Sequence, residues 1–505
     1  MGGRRRHERR NNKKLRSLEA MHGTPIRKEK RGGASPTELM NILLFSMDTL
    51  RADRLSCYGH FRATSPHTDR LASQGTLFEN FYSPHIPTFP GHTTMMTGRD
   101  VYAHQITGQS GTPELSPQIP MLAEILAGQG YFTAAADNLG RWFARGFQLY
   151  ETYSWDTGTA GEWRKGEAVN RAALHVLEAA ASQDRPFFVF LHYWDPHTPY
   201  LPPAPFSRMF YEGNERDPHN HSMDAVWAFE NFKWYFNEWM PGVTDIEFPK
   251  AQYDAEVAYA DACIAHIFTR LDELGLTEDT LVVYTSDHGE ELDEHGCWFD
   301  HHGLYEPNIH IPFILRWPGV IPAGKRVRAT AQMADLTPTV LDYAGLLNDR
   351  MAFDGRSLRP LIEGDGEAPE YAELHLTENT WMKKRGIRTP EWKLIVSLEP
   401  DLHGFPMVEL YHIAQDPAEK VNVAQEYPEV VAELRGRMEE HVLRRTQTTG
   451  LPDPLPIQPI PLRRIGKMET AVPTEKNLQP NAPPAPSDEK LSEGDFVGYQ
   501  REEEA

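Results

Sequence analysis

Cysteine is scarce in this chain of 505 residues: only Cys57, Cys263 and Cys297 occur, with no Cys-x-x-Cys pair. That sparse, odd count offers neither a disulfide framework nor a cysteine zinc site, and it fits a reducing compartment. No run of about 18 apolar residues exists, so no membrane span is expected. Residues 1–38 are rich in Arg and Lys but lack the apolar core of a signal peptide, so secretion is not predicted and a cytoplasmic location is the expectation. Positive charge is also in deficit, 51 Lys and Arg against 72 Asp and Glu for a net charge of −21, which argues against a dedicated nucleic-acid partner. The basic leader reads as disordered, or as sequence ahead of a true start at Met21 or Met40.

What the chain does have is length enough for a large core and an alternation of short apolar runs with helix-like stretches. The runs are "NILLFS" from Asn41, "YFTAAADN" at 131–138, "PFFVFLHYWD" at 186–195, "TLVVYTSDHG" at 280–289 and "IPFILRWPG" at 311–319. Helical patterns such as "QIPMLAEILAGQG" and "YDAEVAYADACIAHIFTRLDELG" lie between them. The alternation predicts an α/β fold with a mostly parallel sheet covered on both faces. Residues 39–370 are assigned to this catalytic domain, with 201–250 as an aromatic-rich insertion whose ordinary helical packing outweighs a role as substrate wall. Residues 371–450 read as a smaller C-terminal module, and the Pro-rich, charged segment 451–505 as disordered.

Ligands of such sheets bind beyond the carboxyl ends of the strands, and three runs end in polar chemistry there. Asp48 follows the first run, Asp195 and His197 the third, and Asp287 and His288 the fourth. A turn-forming role explains any one Asp, but it explains the Asp-His combinations poorly. Carboxylates beside neutral imidazole suit zinc, manganese or iron better than calcium. A second cluster can be assembled from Asp195, His197 and one of His301 or His302 in "DHHG", for metal or substrate.

In "TFPGHTTMMTGR", residues 88–99, Thr88 opens a predicted helix. Either it caps that helix or it is a nucleophile, activated by a cation against a tetrahedral phosphorus or sulfur centre. His92 lies one turn on, placed to donate a hydrogen bond to a non-bridging oxygen.

These blocks, with "NILLFSMDTLRADRLSCYGH", "DPHTPY", "SDHGEELDEHG", "LYEPNIHIPFILRWPG" and "IRTPEWKLIV", resemble the sulfatase family of the alkaline phosphatase superfamily from about Asn41 to Arg445. The resemblance implies an alkaline phosphatase-like α/β domain with a small C-terminal α+β subdomain on an antiparallel sheet. It departs at Thr88, which stands where sulfatases carry the Cys or Ser converted to formylglycine. "TFPxH" instead looks like the threonine nucleophile motif of the nucleotide pyrophosphatase/phosphodiesterase branch. Thr49 replaces a usual Asp of the sulfatase calcium site, Asp287-His288 a frequent Asp-Asn, and His301 a lysine that holds sulfate.

By that analogy two divalent metal ions, zinc or manganese, are expected rather than one calcium. One takes Asp48, Thr88, Asp287 and His288; the other takes Asp195, His197 and His301 or His302. The implied activity is hydrolysis of a small anionic ester, a phosphate diester or phosphonate monoester, through covalent Thr88. Sulfate-ester hydrolysis without formylglycine is the alternative, and a phosphotransferase or an inactive anion-binding protein is the third. Candidate substrate contacts are Asn138, Arg99 and Trp194, with Arg141, Trp142, Trp227 and Trp234 in loops and the insertion. An oligomer is compatible with all of this.

Overall fold

A computed structural model describes residues 40–155, 163–364 and 370–461; the basic leader and the C-terminal tail beyond Pro461 lie outside the described residues. The apolar runs become strands of one eight-stranded sheet: β1 (Asn41–Met47), β2 (Thr76–Phe78), β3 (Phe132–Ala136), β4 (Leu149–Glu151), β5 (Phe187–Tyr193), β6 (Thr280–Ser286), β7 (Phe313–Arg316) and β8 (Lys325–Val327). Their order is β8-β2-β7-β6-β1-β5-β3-β4. Neighbours pair in parallel except where β7 meets β6 and β2, so β7 alone runs the other way. The reason is its connection: between Ser286 and Phe313 no long helix carries the chain back across the sheet, so β7 re-enters from the edge where β6 ended.

β1, β5 and β6 are buried almost throughout, as strands covered on both faces must be. Their side chains divide by the two-residue period of a strand. Leu43, Phe45, Val189, Leu191, Val282 and Tyr284 join one core with α3 (Lys165–Ala181) and α5 (Glu247–Glu273). Ile42, Leu44, Phe188, Phe190, Leu281 and Val283 join the opposite core with α2 (Thr88–Thr97) and α6 (Leu336–Tyr343). α1 (Pro66–Ser73) starts on a proline at its first position, where the missing N–H costs nothing.

A second sheet contains β9 (Leu374–Asn379), β10 (Lys383–Arg388), β11 (Lys393–Ser397) and β12 (Val408–Tyr411) in an antiparallel meander. The short strand His85–Ile86, from the segment that leads into Thr88, adds in parallel to β9. α7 (Pro428–Thr449) packs Leu434 against Ile387, Leu394 and Leu410 of this sheet. The aromatic insertion forms α4 (Glu230–Trp239), which buries Phe232, Tyr235, Phe236 and Trp239 as core rather than leaving them exposed. Residues 451–461, expected as disordered, instead pack on the body: Asp453 pairs with Arg385, and Gln458 accepts from Thr107 at 2.6 Å.

Candidate active site

The register of the central strands builds the site. Met47 of β1 lies beside Tyr193 of β5 and Ser286 of β6, so Asp48, Trp194 and Asp287 leave the same sheet edge side by side. α2 arrives at that edge with Thr88 as its first residue. Pro87 occupies the cap position and gives no side-chain hydrogen bond, so Thr88 is not the cap. All ten residues of α2 are buried, and Gly98 ends it in the left-handed region at φ 63°, which glycine adopts without Cβ strain.

Asp48, Asp287 and His288 converge, each offering one ligating atom within 4.8 Å of the others. All three are fully buried. Neither carboxylate oxygen of Asp48 has a hydrogen-bond partner, and Oδ2 of Asp287 has none either. Its Oδ1 accepts from the backbone N–H groups of Thr49 at 3.2 Å and His288 at 2.9 Å. Buried carboxylate oxygens without hydrogen bonds are costly, histidine nitrogens 3.3–3.5 Å away offset only part of that cost, and a bound cation would offset the rest, so these residues fit a divalent metal.

His288 donates Nδ1–H to the backbone oxygen of Gly289 at 2.9 Å. That fixes Nε2 as the free imidazole nitrogen, and it stands 3.1 Å from Oγ1 of Thr88. Gln109 donates to the same hydroxyl at 3.2 Å. Thr49, a β-branched residue, sits at φ 58° with a buried hydroxyl that has no partner. Strain of this kind, about 1–3 kcal/mol, is characteristic of functional sites.

Histidines surround Asp48. Burial alone would push its pKa up, but His197, His192 and His288 outweigh that and hold the carboxyl well below its usual range. His192 is buried too, yet Asp137 at 2.8 Å and Asp48 at 3.5 Å raise its pKa to about 10. His301 stacks on His288 with ring centroids 4.7 Å apart and faces His197 at 5.1 Å. Burial works against its charge, but Asp300 and Glu290 raise it to about 9. His197 is lowered by burial and donates Nδ1–H to Thr198 O at 2.7 Å, which leaves Nε2 as an acceptor.

Several expected members take other places. Asp195 turns away from the site, 3.4 Å from Lys165 Nζ and beside Glu256 and Cys263. Among the described residues it forms no ligating group with His197 and His301. His302 shares Asp300 Oδ1 with His301, at 3.3 Å and 3.5 Å, but its Nε2 contacts His403 Nε2 at 2.7 Å rather than the Asp48 group. His92 donates Nδ1–H to the backbone oxygen of Thr88 at 3.1 Å, and its Nε2 accepts from Ser46 at 3.0 Å. With both nitrogens engaged, it braces the first turn of α2 and has no N–H left for substrate. Arg99, at the other end of that helix, pairs with Asp354 at 2.9 Å.

Asn138 is committed to the backbone of Tyr153 through both its amide atoms. Trp142 donates to Thr93 and Trp227 to Val243 O, while Arg141 pairs with Glu114. Trp234 is partly buried in the insertion. Trp194 stays at the site as a buried wall between Trp155 and His197.

Sequence reasoning missed His192, Gln109 and Lys165. His192 carried a signal, a polar residue inside the apolar run "FFVFLHYW" and register-paired with Ser46 beside Asp48. Gln109 and Lys165 carried none, because only the fold brings them here.

With this geometry in place, comparison with known proteins is decisive for the family. The chain matches the family model described as Sulfatase over residues 40–346, and the one described as N-sulphoglucosamine sulphohydrolase, C-terminal, over residues 293–444. It is 26% identical to N-acetylglucosamine-6-O-sulfatase of Bacteroides thetaiotaomicron, over 80% of this chain and 86% of that protein. It is also 26% identical to Arylsulfatase A of Homo sapiens, over 78% of this chain and 86% of that one. The crystal structure of Phosphonate Monoester Hydrolase of Agrobacterium radiobacter shares the fold, with a TM-score of 0.65 at 24% identity, covering 81% of this chain and 96% of that one. The chain belongs to the sulfatase family of the alkaline phosphatase superfamily and is a hydrolase of ester bonds.

Proposed function

From membership of the sulfatase family, we propose that this chain hydrolyses phosphate or phosphonate esters through a covalent intermediate on Thr88. The observation that carries the reading is the 3.1 Å contact of Thr88 Oγ1 with His288 Nε2 within the group Asp48, Asp287 and His288. Threonine has a methyl group where formylglycine formation needs a CH2 carbon, so an aldehyde route to sulfate esters is closed to it.

Asp48, Asp287 and His288 would hold one divalent ion, zinc or manganese by the chemistry of two carboxylates and an imidazole. For the second ion expected beside it, Asp195, 3.4 Å from Lys165, forms no ligating group with His197 and His301 among the described residues. When bound, the ion supplies positive charge that lowers the pKa of the Thr88 hydroxyl and offsets charge on the phosphoryl oxygens.

The chain's own residues do the rest. Thr88 Oγ1 gives up its proton and bonds to phosphorus as the bond from phosphorus to the leaving oxygen breaks, that oxygen takes up a proton, and water then cleaves the threonine phosphate. Gln109 orients the hydroxyl, and the buried start of α2 fixes its position. His301, cationic at neutral pH, faces the non-bridging oxygens of a small anionic ester. His197 presents an unprotonated Nε2 that can take a proton from the attacking water.

The test is a panel of aryl phosphate, phosphodiester, phosphonate monoester and sulfate ester given to metal-loaded protein. Thr88→Ala is expected to lose at least about 10³-fold in turnover, and acid quenching should trap phosphate on the peptide that contains Thr88. Full turnover by Thr88→Ala overturns the proposal. Sulfate-ester hydrolysis from unmodified Thr88 is the second reading, favoured by the two relatives named as sulfatases. Sulfate release faster than phosphate-ester turnover would select it.

A further inference from the structure

We propose a second metal site, made by Cys297, His302 and His403, that takes a zinc-like ion and ties the loop bearing His301 to the C-terminal sheet. One ligating atom of each residue lies within 4.8 Å of the other two, and Cys297 and His302 are fully buried. The two imidazoles face each other nitrogen to nitrogen, Nε2 to Nε2 at 2.7 Å. Nδ1 of His302 lies 3.3 Å from Oδ1 of Asp300 without a formed hydrogen bond, on the side where metal-bound histidines commonly have a carboxylate partner. Asp300 is itself held by the indole N–H of Trp381 at 3.0 Å.

The surroundings suit a bound ion that is shielded from water. His403 lies stacked between Phe229 and Phe405, with ring centroids 4.6 Å and 4.8 Å away. Phe232 of α4 covers His302 at 5.7 Å. A thiolate and two imidazoles select a borderline ion over magnesium or calcium. The Cys297 thiolate offsets one of the two charges of a divalent cation, and the Asp300 carboxylate, shared with His301 at 3.5 Å, lies beside it.

Without metal, one of the two facing nitrogens must carry a proton to make the contact. Loading moves that proton to the other nitrogen of the same ring and releases the thiol proton to water. Ligands about 2.0–2.1 Å from a tetrahedral ion stand about 3.3 Å apart, so the rings must part by about 0.6 Å. His403, half-buried in the loop between β11 and β12, is the partner that would shift, sliding between Phe229 and Phe405. Sequence spacing gave little hint of this site, because Cys297 and His302 are close in the chain but His403 comes from the separate C-terminal sheet.

The site does not rest on the proposed reaction, and its test reads no activity. Full-length protein stripped with a chelator is titrated with Co(II), following bound cobalt and the thiolate-to-cobalt charge-transfer absorption in the near ultraviolet. Wild type is expected to develop that band, and Asp287→Asn to keep it. Cys297→Ser should lose the band and one equivalent of cobalt. His403→Gln, in a loop and able to fold if Cys297→Ser does not, should weaken cobalt binding at this site by at least about tenfold. No thiolate band in wild type at saturating cobalt overturns the proposal. So does cobalt binding in His403→Gln that is unchanged in both band and affinity.

Discussion

A Cβ placed on Gly91 would stand 2.9 Å from the backbone oxygen of Asp287. Helix α2 therefore lies against the strand end that carries the candidate metal ligands, and glycine three residues after Thr88 is what allows the approach. The clash would be with backbone, which cannot swing aside as a side-chain tip can. Gly91→Ala is expected to fold but to push α2 outward, at a cost of about 1–3 kcal/mol of stability. Turnover should fall further than stability predicts, because Thr88 moves away from His288. A variant with wild-type kcat and an unchanged melting midpoint would show that the contact does not position Thr88.

Asp195 separates what the sequence suggested from what the fold does. Lys165 Nζ donates to the backbone oxygen of His197 at 2.7 Å and lies 3.4 Å from Asp195 and 3.7 Å from Glu256. This buried cation holds the loop that presents His197. Lys165→Met should destabilise the protein by about 3–5 kcal/mol, since it leaves the buried Asp195 carboxylate without its cation, while burial raises the pKa of Glu256 and keeps it protonated. Asp195→Asn should leave the bound metal per chain unchanged. Metal analysis that found one ion fewer in Asp195→Asn would restore Asp195 as a ligand.

The same contrast explains how much of the molecule was legible beforehand. Strands β1, β3, β5, β6 and β7 were readable because buried strands are written as continuous apolar runs, and the ends of β1 and β6 yielded Asp48, Asp287 and His288. What a sequence does not write is the direction in which a loop side chain points. "DPH" presented Asp195 and His197 as equals, yet the loop turns one toward Lys165 and the other toward His301. "DHH" likewise left His301 and His302 undivided, and the fold sends them to different clusters. His92 was correctly placed one turn from Thr88, but only the packing of Ser46 beneath it shows that its ring is already occupied. The antiparallel course of β7 and the order in residues 451–461 depend on long-range packing that local patterns do not carry.

Removing the metal should be visible as stability. Asp48 and Asp287 hold buried oxygens without hydrogen bonds, and an ion that binds only the folded state adds RT ln(1 + [L]/Kd), about 2.7 kcal/mol at a hundredfold excess over Kd. Zinc or manganese added to chelator-treated protein should raise the melting midpoint by several degrees. In Asp287→Asn that shift should shrink, leaving only what any other site contributes. A midpoint indifferent to both ions in wild type would refute metal binding by this group.

Acid should loosen the C-terminal sheet before it reaches the carboxylates of the candidate site. His375 of β9 stacks on His441 of α7 with ring centroids 3.5 Å apart. Burial lowers the pKa of His375 to about 4 despite Glu373 at 2.9 Å, with Arg444 and Arg437 adding to the fall. Burial likewise depresses His441, helped by the charge of His375. A histidine near 6.5 in the unfolded chain and near 4 in the fold is protonated first in the unfolded state. Stability is therefore full above pH 6.5 and is lost as pH falls toward 4, by about 3 kcal/mol for His375 alone. Denaturant midpoints measured from pH 7 to pH 5 should fall accordingly, with a shallower slope in His375→Gln and His441→Gln. An equal slope in the double variant would place the acid sensitivity elsewhere, and the depressed pKa of His85, about 3 through burial, makes that histidine the next to replace.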